Sequence, residues 1–280
     1  MKMTMQTRKK VGQIALFVFT LLVAIVFFFP IFFNLMSAFK SNAEIMRDAI
    51  AFPKTLYLES FKYLLTETEF PRAILNSLIL TGVSIAAQVL IIPMAGYAIE
   101  RRNARWTRFI FVYFLAGMMI PFQAYMIPLF KELRMLGLYG SLAGPILIYV
   151  AGAVGFGSLL YTSFVKGIPR EIEEAAEIDG CSRYGIFWRI VFPLLGPVTA
   201  SMVVLNGLGI WNDFLMPMLV LPSGQAKTMV VEIYRYIGEF SSRWDMIFAG
   251  TAMSVVPVLI VFIALQKYFV KGIASGATKG

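Results

Sequence analysis

Few side chains in this sequence are equipped for covalent or metal chemistry. Its 280 residues include no histidine and one cysteine, Cys181. Disulfide frameworks, Cys-rich zinc sites and imidazole-based catalysis are therefore outside the chain's repertoire. Carboxylates remain, and one stretch concentrates them: Glu171, Glu173, Glu174, Glu177 and Asp179, bounded by Pro169 and Gly180. They lie outside every apolar segment and in no pattern that predicts a metal site. A second set is neutral: Asn76, Ser77, Gln88, Gln123, Asn206 and Asn212 sit in or beside long apolar stretches. In such surroundings these groups either hydrogen-bond neighbouring helices or line a polar route, and residue type alone leaves both open.

The elements that must position these residues follow from composition. The chain is 59% hydrophobic and 15% charged, against about 45–50% and about 25% for soluble domains. One compact core cannot hide that excess, so lipid must be the solvent for much of it. Stretches free of Asp, Glu, Lys and Arg run over 11–39, 73–99, 109–130, 135–165, 190–212 and 246–266. Each reaches the roughly 20 residues needed to cross a bilayer as a helix. Backbone groups in lipid must be satisfied within the segment, and the alternation of a lipid-facing barrel is missing. Six transmembrane helices in an all-α fold are predicted. Arg8, Lys9 and Lys10 precede the first, but its apolar run is too long for a signal-peptide core and no small-x-small cleavage site follows, so it is read as an uncleaved helix.

Charge then orients the spans. Fifteen Lys and Arg fall on the side of residues 1–10, 100–108, 166–189 and 267–280, with six acids, whereas the opposite side carries ten of each sign. The whole formal charge of +9 therefore sits on one face. By the positive-inside rule both termini are cytoplasmic, and the basic balance reports topology rather than nucleic-acid binding. Loops at about 40–72, 131–141 and 222–245 lie outside, with aromatics such as Tyr57, Tyr139 and Trp244 in or beside them. Asp213, 24 residues past Arg189, is about 36 Å along a helix and falls at the outer rim. Gly144, Gly152, Gly155 and Gly157 would let the fourth span pack closely. Pro93, Pro121, Pro128, Pro145 and Pro257 can kink their helices.

The acidic stretch reads as a helix–turn–helix on the inner surface. Pro169 suits a first turn, and glutamates there favour the positive end of the helix. Gly180 suits the left-handed stop, and Ser182 can cap a second helix running through Arg189. Ile172, Ala175, Ala176, Ile178, Ile186 and Phe187 form an apolar knuckle rimmed by charge, shaped for a groove on a soluble partner. A helix resting on lipid headgroups would instead be rich in Lys and Arg on its polar face.

Glu174-Ala175-Ala176, then Asp179-Gly180, then Ile190 and Phe192-Pro193 resemble the EAA loop of ABC-importer permeases, with Phe-Pro in place of the usual Leu-Pro. The six spans, the 72–78 entry to the second span, Trp211-Asn212 and the 271–280 tail are similar to the maltose-type, carbohydrate-uptake branch. The resemblance implies a type I importer permease in the bacterial plasma membrane. Residues 1–10 are a cytoplasmic tail, 11–270 the permease domain with its coupling loop at 166–193, and 271–280 a C-terminal tail. Glu174, Ala175, Ala176, Asp179, Gly180, Ile190 and Pro193 would couple to an ABC ATPase dimer, which alone binds ATP and Mg. Ser275, Gly276, Lys279 and Gly280 would reach the same ATPase. A second homologous permease completing a heterodimer, an extracellular or periplasmic binding protein and a sugar substrate are further implied partners. Asn76, Gln88, Gln123, Asn206 and Asn212 are the candidates for lining the path.

Other classes fare worse on the residues themselves. A phosphate-binding GxxxxGK[ST] loop is missing, consistent with ATP hydrolysis in another chain. An ion-coupled transporter needs a midplane ionisable site and often shows inverted repeats, and neither is seen. An intramembrane enzyme lacks a nucleophile–base pair. The substrate itself stays open among sugars, sugar alcohols, glycerol-3-phosphate esters and uronate oligosaccharides, with the scarcity of cations in the spans disfavouring anions.

Overall fold

The computed structural model describes residues 5–102, 104–221, 227–238 and 241–277, and its regular elements are helical throughout. In chain order they are α1 (Met5–Ser37), α2 (Asn42–Arg47), α3 (Glu59–Thr66), α4 (Phe70–Arg102), α5 (Arg105–Met118), α6 (Phe122–Met135) and α7 (Ala143–Lys166). There follow α8 (Glu171–Ile178), α9 (Arg183–Ile186), a π-helical turn (Phe187–Val191), α10 (Phe192–Leu194) and α11 (Gly196–Trp211). The chain ends with α12 (Leu215–Val220), α13 (Met229–Tyr234) and α14 (Trp244–Ala277).

Among the described residues, four helices are long and apolar enough to cross a membrane: α1 over Gly12–Ser37, α4, α7 and α14 over Trp244–Val261. The expected third and fifth spans are not single straight helices. The segment predicted at 109–130 is divided between α5 and α6, bent by 102° at Met119–Pro121, where Pro121 has no N–H to continue the ladder and takes an extended ψ of 142°. The segment predicted at 190–212 bends by 73° between α10 and α11. There Pro197 follows Leu195-Gly196, and its ring would collide with the carbonyl four residues back. The fourth span, expected from 135, begins at Ala143. Gly137 and Gly140 adopt φ of 67° and 82°, which stops α6 and turns the chain. Pro93, Pro128 and Pro257 lie inside unbroken helices.

The chain forms two compact units. The first comprises residues 1–68 and 233–256. In it Phe33 meets Phe248 edge-on at 5.7 Å. Buried Asp245 accepts from Ser60 Oγ at 3.0 Å and from the Arg243 guanidinium at 3.1 and 3.0 Å. Lys40, fully buried, donates Nζ to the Ala49 carbonyl at 2.9 Å, so its charge is not left without an acceptor.

The second unit, residues 69–232 and 257–280, holds both sets of candidate residues. Its principal contact is α4 against α7, with α11 packed on both. Glycines permit the approach. A Cβ on Gly96 would lie 2.6 Å from Tyr161 Cβ, one on Gly157 2.7 Å from Ile92 Cγ2, and one on Gly155 2.7 Å from the Phe114 carbonyl oxygen of α5. Gly152 differs from this expectation, having nothing within 4 Å of such a carbon. Gly155→Ala should therefore destabilise the protein by about 1–3 kcal/mol, because a carbonyl cannot yield as a side-chain end can. Gly152→Ala should stabilise it by about 0.5–1 kcal/mol through helix propensity alone. Thermal unfolding midpoints in one detergent check the opposite signs.

Candidate functional site

Two sites lie in the second unit, and the first is the helix–turn–helix at 169–194. Helix α8 begins after Pro169, with Arg170 at the N-cap rather than the proline in the first turn, and Glu171, Glu173 and Glu174 at its positive end. It ends in a Schellman pair: Cys181 N–H bonds the Ala176 carbonyl and Gly180 N–H the Glu177 carbonyl, both at 3.0 Å. Gly180 has φ of 82°, so glycine is needed there for the backbone. Cys181 packs against the same apolar cluster as Ala176, which gives it a packing role. Ser182 then caps α9, its Oγ accepting from Gly185 N at 3.2 Å. The second helix does not stop at Arg189; it continues through the π turn into α10.

The expected apolar knuckle splits into two faces. Ala176, Ile186 and Phe187 are buried in a cluster with Tyr161, Val165 and Val191, because the bundle's own apolar surface reaches them first. The outward face keeps Ile172, Ala175 and Ile178 with Tyr184 of α9; Ile178 is 87% and Tyr184 71% exposed. Glu171, Glu174, Glu177, Asp179 and Arg183 are all exposed, and Glu174, Glu177, Arg183 and Tyr184 border a cavity beside the Arg101–Glu173 pair. Of the other residues singled out in the loop, Ile190 packs beside the buried cluster and Pro193 is exposed in α10.

What fixes the loop is a residue the sequence reasoning counted only as charge. Glu173 Oε1 accepts from Arg101 Nε at 2.7 Å and pairs with Nη2 at 2.6 Å, while Tyr97 Oη donates to Oε2 at 2.6 Å. The same Arg101 Nη2 donates to the Ile168 carbonyl at 2.9 Å. Both charged side chains are nearly buried, at 12% and 13% exposure. With Ala176 read as outward, no signal in the sequence marked Glu173, whose partners lie 72 and 76 residues away.

The second site is a cavity of about 410 Å³ among the middle of α4, the first half of α7, the second half of α11 and the start of α6. These are the halves of α7 and α11 remote from the helix–turn–helix. Asn206 Nδ2 donates to Gln88 Oε1 at 2.8 Å, and Gln88 Nε2 to the Tyr149 carbonyl at 3.0 Å. Tyr149 Oη donates to Asp213 Oδ2 at 2.8 Å, and Asp213 Oδ1 accepts from Leu215 N and Met216 N at 2.9 and 3.3 Å. Phe122, Tyr125 and Phe156 supply ring surface.

The structure thus unites Gln88 and Asn206 and adds Tyr149 and Asp213. The other three lie apart. Asn76 bonds the Lys227 carbonyl at 2.9 Å, Asn212 bonds back to the Leu208 carbonyl of its own helix, and Gln123 is exposed on α6 without lining the cavity. In the tail, Ser275 and Gly276 belong to α14, and Lys279 and Gly280 lie outside the described residues. No group of three or more Cys, Asp or Glu able to hold a metal occurs among the described residues.

Long and bent apolar helices, a largely apolar cavity holding Gln88, Asn206 and Asp213, and a surface helix–turn–helix at the far end are the features of a multi-pass membrane protein. Residues 91–275 match the family described as binding-protein-dependent transport system inner membrane component, and the chain belongs to that family. It is 33% identical over 89% of its length to the probable starch degradation products transport system permease protein AmyC of Thermoanaerobacterium thermosulfurigenes, covering 91% of that relative. It is also 33% identical over 92% of its length to the arabinooligosaccharides transport system permease protein AraQ of Halalkalibacterium halodurans, covering 93% of it. A chain of a bacterial ABC transporter that imports the acidic polysaccharide alginate shares the fold, with a TM-score of 0.82 at 22% identity over 96% of this chain and 99% of that one.

Removing one member of a nearly buried ion pair leaves the other charge stranded, at a cost of about 3 kcal/mol. Arg101→Ala should therefore raise amide hydrogen exchange across 168–178 by roughly a hundredfold. Exchange in α1 should stay as in the parent. Mass spectrometry of the detergent-solubilised protein reads both regions at once.

Proposed function

We propose that this chain is one of two permease subunits of a bacterial ABC importer, forming half of the path by which a sugar or oligosaccharide crosses the plasma membrane. The observation that carries the reading is the two-faced helix–turn–helix: pinned inward through Glu173, open outward at Ile178 and Tyr184. A surface so built holds its shape and still has apolar side chains to bury on a partner.

In this reading each bent helix pair is one span, giving six, with both termini and the helix–turn–helix in the cytoplasm, as the distribution of Lys and Arg supports. The loop seats in an ABC ATPase dimer, which binds ATP and Mg. Glu174, Ala175, Asp179, Gly180 and the exposed Pro193 face the cleft, and Ala176 and Ile190 shape the loop from within. The tail with Ser275, Gly276, Lys279 and Gly280 reaches the same ATPase. Closure of the ATPases moves the loop as a rigid body and turns the path from one side of the membrane to the other. A second, homologous permease supplies the other half of the path, and an extracellular binding protein delivers substrate. The names of relatives that carry starch products and arabinooligosaccharides support the sugar class, and the Gln88–Asn206 cavity supplies donors and acceptors suited to hydroxyls.

Co-purification with the ATPase tests the docking. Glu174→Arg and Ile178→Asp, both at exposed positions, should each reduce ATPase recovery more than tenfold, a loss of about 1.4 kcal/mol or more, with unchanged membrane insertion. Full ATPase recovery with both variants would remove the loop as the docking surface.

A further inference from the structure

The cavity beside α11 has a charge character that the sugar-path reading does not itself require. Among its described lining residues Asp213 alone is charged, and neither lysine nor arginine borders it. The carboxylate is fixed rather than free to swing away: Tyr149 Oη holds one oxygen at 2.8 Å, and the Leu215 and Met216 amides hold the other. The rest of the wall is ring and aliphatic surface with two side-chain amides, Gln88 and Asn206, already bonded to each other at 2.8 Å.

We infer that Asp213 is a specificity-determining residue that makes this path select neutral sugars and reject anionic ones such as uronates and sugar phosphates. The inference rests on the proposed sugar path and narrows its substrate class. A fixed negative charge with low-dielectric walls projects its field across a cavity of this size with little screening. Hydroxyl groups can turn a proton toward a carboxylate, and charge-assisted bonds of this kind are stronger than neutral ones. A solute carboxylate or phosphate has no such adjustment, and among the described residues that this chain contributes to the wall no cation compensates it. Discrimination of this kind works through an unfavourable contact with the wrong solute as much as a favourable one with the right solute.

Equilibrium binding of labelled maltotriose, arabinotriose, raffinose and trigalacturonate to the purified, detergent-solubilised transporter complex, without its binding protein, tests this. At least one neutral trisaccharide should bind, with trigalacturonate at least about tenfold weaker. Asp213→Asn, which keeps an acceptor for the Leu215 and Met216 amides, should close that ratio to within about threefold. Asp213→Glu should restore it. Binding of no neutral trisaccharide would overturn the sugar path itself. Neutral binding with trigalacturonate equally tight in the parent, or an unchanged ratio in Asp213→Asn, would leave the sugar path standing and overturn the role of Asp213. Equal binding of neutral and anionic trisaccharides by the parent overturns the role of Asp213 even where a variant fails to accumulate.

Discussion

The pairing of Glu173 with Arg101 and Tyr97 is the constraint on which the rest of the helix–turn–helix depends. A carboxylate at 13% exposure is tolerable only with its charge answered, and both its oxygens are engaged, one by the guanidinium and one by the phenol. Arg101 reaches further, to the Ile168 carbonyl just past the end of α7. One side chain of α4 therefore ties down the end of α7 and the start of α8 together. The apolar cluster beneath, with Tyr97 against Phe187 at 5.3 Å, seals the joint from the other side. A load on the outer face of α8 then passes into α4 and α7 and is not dissipated as bending within the loop.

At the other end of the unit, irregular backbone serves a different purpose. Non-helical backbone at membrane depth is tolerated where it is buried in protein or lines a cavity. Two places where the chain departs from straight helix border the same cavity. The bend at Met119–Pro121 delivers Phe122 and Tyr125 to its wall, and the turn after α11 delivers Asp213. Asp213 also accepts the first amides of α12, so the residue that charges the cavity restarts the helix beside it. The helical breaks are thus part of how the cavity is made.

What could be read in advance divides by range. Gly180 and Ser182 were legible because a left-handed stop and a hydroxyl cap are decided within four residues of chain. The four straight candidate spans were legible because length and the absence of charge suffice to mark them. The bends elsewhere were less so. Pro93, Pro128 and Pro257 are carried inside helices while Pro121 breaks one, a difference that residue type alone does not decide. Glu173 was hidden for the same reason: its partners are 72 and 76 residues away. Gln88 and Asn206 were singled out one by one, but their pairing across 118 residues was not visible. Ala176, Ile186 and Phe187 were read as outward because amphipathic spacing marks an apolar face without saying what will cover it.

The two ends of the unit are joined by the same pair of helices, and the packing between them bears on how they can move. Gln88 and Arg101 are 13 residues apart on α4, about 20 Å at 1.5 Å per residue. Between them Gly96 lies against Tyr161, and Ile92 against Gly157, at separations that leave no room for a methyl group. Sliding α4 along α7 would drive these backbones and side chains into one another, and close-packed contacts of this kind resist continuous shear. Gln88 is meanwhile bonded to the α7 backbone at Tyr149, and Arg101 to the chain just beyond its end at Ile168, so the pair is latched at both limits. A displacement at the helix–turn–helix therefore carries the Gln88 wall of the cavity with it. Helix α11 is held to this pair by the Asn206 and Tyr161–Thr199 hydrogen bonds and by Val198 and Met202, which are buried in the same cluster as Ile92 and Tyr161.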